Sequence, residues 1–142
     1  MYSKIPYCPG YPHCHDVHGI EITAIKVTIC EYCTVLGIYR SPKIPIRQLC
    51  QAVSEVLDTI STENNIIIGD FNVNWLIEAD RQPLWNLPVR DRCYKQLITT
   101  YTTDNRTLID HIFTNISHLK IQAGVSETSQ IIKQYGPHII VL

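Results

Sequence analysis

The seven residues Ile66-Ile67-Ile68-Gly69-Asp70-Phe71-Asn72 constrain this chain more than any other stretch. Three consecutive apolar residues cannot all lie on one face of a strand, so the run reads as a strand buried on both faces of a sheet. It ends at a glycine, an acid and an amide, and α/β sheets commonly place ligands at the carboxyl ends of their strands. Gly69 would let the backbone turn there. Two readings of Asp70 and Asn72 stay open: polar groups presented to a ligand, or turn residues that end the strand.

The remaining pattern supplies partners for such a strand. Residues 1–19 are rich in Pro, Gly, His, Tyr and Cys without periodicity, and read as an irregular N-terminal segment. The β-branched runs Glu21 to Val27 and Thr34 to Tyr39 predict an antiparallel hairpin whose turn holds Cys30 to Cys33. Pro42 and Pro45 stop extended pairing, and Pro45 suits the first position of a helix. Over residues 46–60, Leu49, Val53, Val56, Leu57 and Ile60 recur at helical spacing, with Gln48, Gln51, Glu55 and Asp58 off the stripe. A second helix is predicted from Pro88 to about Thr99, with Val89, Cys93, Tyr94 and Leu97 inward. Leu108 to Phe113 reads as a further strand. Hairpin, helix, buried strand, helix and strand make an α/β (α+β) architecture with helices covering a sheet.

At 142 residues the chain fits one domain and can bury a core without disulfides or a structural metal. Twelve Lys and Arg against 13 Asp and Glu leave a net charge of −1, so any nucleic-acid contact needs a local cluster. Arg90, Arg92 and Lys95 are the candidate cluster, although at helical spacing they equally read as a solvated face. No run approaches the roughly 20 apolar residues of a membrane span, and residues 1–10 lack the apolar core of a signal peptide. The expected location is intracellular, cytoplasmic or nuclear, not secreted and not membrane-bound. The six cysteines then read as reduced thiols. A small zinc site drawing on Cys8, His13, Cys14, His15, His18, Cys30 and Cys33 is an alternative.

Three ordered motifs carry a resemblance. Ile38-Tyr39-Arg40-Ser41-Pro42, Gly69-Asp70-Phe71-Asn72 after its apolar strand, and Leu108-Ile109-Asp110-His111-Ile112-Phe113-Thr114-Asn115 together resemble the endonuclease/exonuclease/phosphatase superfamily, within it the endonuclease domains of non-LTR retrotransposons. The resemblance covers residues 18 to 128 and the later half to two thirds of such a domain. It implies a partial four-layer sandwich of two mixed β-sheets flanked by helices, and magnesium-dependent hydrolysis of a DNA phosphodiester. It also implies roles: Asp70 orients or deprotonates the attacking water and contacts the metal, while Asn72 donates to the scissile phosphate. Tyr39 contacts the phosphate or the leaving oxygen, and Arg40 lends charge to the phosphate. Asp110 orients the imidazole of a later histidine. Apart from the resemblance, Tyr39 also reads as a strand aromatic and Asp110 as a strand-end acid.

Two departures follow from the same resemblance. A strand bearing an asparagine and a strand bearing the glutamate that ligates magnesium belong before Met1, so metal binding is expected to be weakened. A Ser-Asp-His motif belongs where Ser129-Gln130-Ile131-Ile132-Lys133-Gln134-Tyr135-Gly136-Pro137 stands. His138 is the alternative histidine. The expected organisation is an irregular segment over 1–19, a partial domain over 20–128, and a divergent tail over 129–142 read as out-of-frame translation. The expected activity is that of an impaired endonuclease fragment, with a non-catalytic relic or interaction module as the alternative. Sequencing the gene checks the tail: across these codons another frame should encode Ser-Asp-His, and its absence would reject the frameshift.

Overall fold

A computed structural model describes residues 13–17, 19–28, 32–60, 63–84, 92–117, 122–124 and 139–141. Its centre is a six-stranded mixed sheet formed by β1 (His13–Val17), β2 (Ile20–Thr28), β3 (Tyr32–Arg40), β4 (Asn64–Asp70), β5 (Lys95–Gln96) and β6 (Asp110–Thr114). The strands lie in the order β1-β2-β3-β4-β6-β5, and a separate two-stranded sheet joins β7 (Gln122–Gly124) to β8 (Ile139–Val141). Only β3 and β4 pair in parallel within the large sheet. A parallel neighbour needs a crossover, and α1 (Ile46–Thr59) supplies it.

Alternation along the strands sorts the core into two faces. Ile20, Ile22 and Ala24 of β2, Leu36 and Ile38 of β3, Ile67 of β4 and Phe113 of β6 form one cluster with Leu49, Cys50, Ala52, Val53 and Leu57 of α1. Ile66 and Ile112 lie in a second cluster with Cys33, Ile98, Leu108 and Ile116, against which Val35 and Ile68 pack. Helix α1 has no side-chain cap, no acid in its first turn and no base in its last. Its apolar stripe therefore holds it in place, each fully buried Leu or Val contributing about 1.5–3 kcal/mol.

Gly69 fixes the contact between β3 and β4. Its φ is +156°, and a Cβ built there would lie 1.8 Å from the carbonyl oxygen of Ile38. The expected hairpin, the helix over 46–60 and both later strands are present. The strand does not break at Gly69 but runs on, paired, to Asp70.

Several expectations are corrected. His13 to Val17 is a strand, because the hairpin partner Ile20–Thr28 is strong enough to recruit a segment without β-branched bias. Gly19, at φ +96°, makes the turn between them. Cys33 sits inside β3 opposite Val27 and is buried, whereas Cys30 lies outside the described residues. Pro45 is the N-cap of α1 and not its first helical residue. The helix predicted over 88–99 is absent across its described part: Cys93 is exposed with φ +59°, and Lys95 and Gln96 pair with β6. Tyr94 and Ile98, four apart as in a helix, enter different clusters. A short helix, α2 (Glu78–Leu84), forms earlier instead. It carries no apolar periodicity, because only Leu84 is buried and Pro83 interrupts it.

Replacing Gly69 with alanine should remove more than about 4 kcal/mol of stability or prevent folding, since the new methyl meets backbone that cannot move aside. Urea unfolding of Gly69→Ala beside the parent chain checks this, and a change within about 1 kcal/mol would contradict the packing described.

Candidate functional site

Register brings three of the candidate residues together. Tyr39 is the cross-strand partner of Asp70, and Asp70 is the partner of Asp110, so all three project from one face at one rim of the sheet. Neighbouring strands are about 4.8 Å apart, which puts the two carboxyl groups within electrostatic reach. Burial, followed by the Asp110 charge, raises the pKa of Asp70, while the Asn72 backbone N–H and Arg40 pull it back down. Tyr39 is 41% exposed, and both acids are partly buried. Glu21 is the partner of Tyr39 on the next strand and extends the row by one acid. The alternation Ile20-Glu21-Ile22 is the sequence signal that places Glu21 on the outer face.

Asn72 follows at φ +50°, a conformation asparagine tolerates better than most residues. Its backbone N–H donates to Asp70 Oδ1 at 2.9 Å, closing an Asx turn, and its Nδ2 donates to the carbonyl of Arg40 at 2.7 Å. The turn reading of Asp70 and Asn72 therefore holds geometrically. The Asn72 amide also bonds the Asp70 carboxyl group, so its N–H groups are engaged within the rim.

Arg40 does not join the row. As the residue after Tyr39 it points to the opposite face, where it is 4% exposed. Its Nε donates to the carbonyl of Phe71 at 2.6 Å and its Nη2 to that of Asn72 at 2.8 Å, and its Nη1 serves the carbonyls of Ser41 and Ile44. Desolvation lowers its pKa, with Asp70 the main opposing influence. Four of its donor bonds end on backbone oxygens, so its charge holds the chain where a phosphate contact was expected.

His111, the neighbour of Asp110, is fully buried. Its Nδ1 lies 2.6 Å from Gln96 Nε2 and its Nε2 lies 2.9 Å from the Val73 carbonyl. Phe71 meets the ring edge-on at 5.1 Å and Phe113 stacks on it at 5.6 Å. Burial lowers its pKa to about 4. Neither His111 nor Gln96 stood out in the sequence: the histidine reads as part of a strand, and the glutamine as part of a helix.

The other candidates fall apart. Arg92 donates to Asp58 Oδ1 at 2.5 Å and to Ser54 Oγ at 3.3 Å, and Lys95 lies in β5; Arg90 lies outside the described residues. Cys33 packs in an apolar cluster with Ile66, Ile98, Leu108, Ile112 and Ile116. Cys8, His18, Cys30, His138 and Ser129 to Pro137 lie outside the described residues. An open cleft of about 410 Å³ is lined by Trp75, Glu78, Arg81 and Gln82, and none of the rim residues lines it.

Among the described residues, no three Asp, Glu, His or Cys side chains converge as a metal site. Asp70 and Asp110 offer two carboxylates, and a magnesium ion takes near-octahedral oxygen coordination with several ligands. The donor set described here does not fit that ion. No helix among the described residues is long and apolar enough to cross a membrane.

No family model matches the chain, and no curated protein matches it. Among solved structures it is similar to the endonuclease domain of TRAS1, a telomere-specific non-LTR retrotransposon, with a TM-score of 0.53 and 17% identity over 67% of this chain. The match spans 48% of that domain, about half its length. An endonuclease/exonuclease/phosphatase family protein from Leptotrichia buccalis C-1013-b matches at a TM-score of 0.47 and 14% identity, over 68% of this chain and 42% of the other. The fold is thus α+β and similar to that of the TRAS1 endonuclease domain.

The buried imidazole sets a pH dependence. With a folded pKa of about 4 against 6.5 unfolded, the unfolded chain binds the proton more readily between those values. Stability present above pH 6.5 is therefore lost as pH falls toward 4, by roughly 3 kcal/mol from this group. Urea midpoints at pH 7 and 4.5 should differ accordingly, and the difference should shrink in His111→Gln.

Proposed function

We propose that this chain carries the later portion of a phosphodiester-hydrolysing domain of the endonuclease/exonuclease/phosphatase type, acting on DNA with reduced efficiency. The observation that supports this most is the side-by-side placement of Tyr39, Asp70 and Asp110 on three neighbouring strands at one rim. A phosphodiester resists attack because its anionic oxygens repel a nucleophile, so a site must align a water, donate to the phosphate and stabilise the leaving oxygen. In this reading Asp70 orients and deprotonates the water, and its raised pKa makes it a stronger base than an ordinary carboxylate. Asn72 exchanges its amide bond to Asp70 for one to a phosphate oxygen. The phenol of Tyr39 donates to the leaving oxygen, and Asp110 sustains the basicity of Asp70. Arg40 supports the loop and leaves the phosphate to other groups. Magnesium is implied by the family resemblance, but the described carboxylates do not form a site for it, so no step is assigned to a metal.

A second reading has its own support. The Asx turn at Asp70 and the bond from Asn72 to Arg40 give both residues structural work, as a non-catalytic relic or nucleic-acid interaction module would retain. Nicking of supercoiled plasmid, with and without magnesium, separates the two. The hydrolase reading expects slow nicking that falls about a hundredfold or more in Asp70→Ala. Its acid limb should lie above the usual carboxylate range, because Asp70 must be ionised to act as base. Equal nicking by the variant would reject this reading, and steeply salt-dependent binding without nicking would favour the relic.

A further inference from the structure

Three successive carbonyls follow Asp70, and a buried side chain takes each one. Arg40 of β3 serves those of Phe71 and Asn72, and His111 of β6 serves that of Val73. The segment bearing Asn72 is thereby held from both flanking strands.

The imidazole can do this in only one protonation state, and Gln96 selects it. The Oε1 of Gln96 accepts the backbone N–H groups of Leu97 at 3.0 Å, Ile98 at 3.4 Å and Ile112 at 3.2 Å. With its oxygen held by the N–H groups of Ile98 and Ile112, and by that of Leu97, which it shares with the Ile112 carbonyl at 2.8 Å, the amide turns its N–H toward His111, where Nδ1 accepts at 2.6 Å. The proton of the neutral ring is then on Nε2, the atom 2.9 Å from the Val73 carbonyl. Flipping the amide would face its NH2 toward three N–H donors. Moving the ring proton to Nδ1 would set donor against donor at Gln96 and leave the Val73 carbonyl without its hydrogen.

We propose that His111, locked as the Nε2–H tautomer by Gln96, is a positioning residue that sets the direction of the Asn72 carboxamide through the Val73 carbonyl. The catalytic consequence rests on the hydrolase reading given above. The positioning itself does not.

The test has two arms. In long-range proton–nitrogen spectra of the unaltered chain near pH 7, His111 should show a proton on Nε2 and a bare Nδ1. A proton on Nδ1, or on both nitrogens, would overturn the tautomer lock. In the second arm, His111→Phe keeps a ring but loses both bonds, and His111→Gln returns an N–H for Val73. The Asn72 side-chain NH2 resonances should shift in the Phe variant and return toward the parent positions in the Gln variant. Unmoved Asn72 resonances in a folded Phe variant would overturn the positioning. If the Phe variant does not fold, the tautomer on the parent chain still decides. Should the parent nick DNA, the Phe variant should lose about tenfold or more in kcat with KM little changed. A parent that does not nick counts against the hydrolase reading alone, because both spectroscopic readouts remain.

Discussion

The backbone oxygens of Phe71, Asn72 and Val73 are where this molecule is most tightly tied. An irregular segment leaving a buried strand carries peptide groups that neither sheet nor water satisfies, and each one unpaired would cost about 1–3 kcal/mol. Arg40 and His111 supply the missing donors from opposite sides. Both are polar residues in the interior, and both are tolerated there because every buried side-chain nitrogen or oxygen among the described residues has a partner. The same bonds decide where Asn72 can point, so the support of the fold and the geometry of the rim are one arrangement.

Charge at the rim follows from register. Placing Asp70 between Tyr39 and Asp110 makes two carboxyl groups neighbours on one face, and their mutual repulsion adds to desolvation in weakening the acidity of Asp70. Arg40 moderates this from the other side of the sheet. A carboxylate held in that balance suits proton abstraction better than a freely solvated one, whereas a cation would need further oxygen donors.

Much of this was readable in advance where a pattern has one physical solution. The apolar run at Ile66 to Ile68 had to be an interior strand, and the stripe from Leu49 to Ile60 had to be a helix lying on it. The three motifs single out Tyr39, Asp70 and Asp110 separately, and only strand pairing places them side by side on one face. The failures share a cause: they depend on partners distant in sequence. His13 to Val17 is a strand because of what lies beside it. Lys95 and Gln96 pair with β6 despite the helical spacing around them. Arg40 shares the inward face with Ile38, but the carbonyls it serves at Phe71 and Asn72 lie more than 30 residues on. Gln96 and His111 matter through each other, and no local pattern marks such a pair.

The parallel step between β3 and β4 within the large sheet bears on the order in which the molecule assembles. Antiparallel neighbours such as β2 and β3 can zip from a nearby turn within about 1–10 μs. Arg40 and Phe71, by contrast, are 31 residues apart, and they meet only after the intervening chain has coiled and closed its loop. The rim that gathers Tyr39 and Asp70 is therefore a late arrival during folding. A nascent chain caught before that closure would already own its hairpin while lacking every feature that makes the rim chemically interesting.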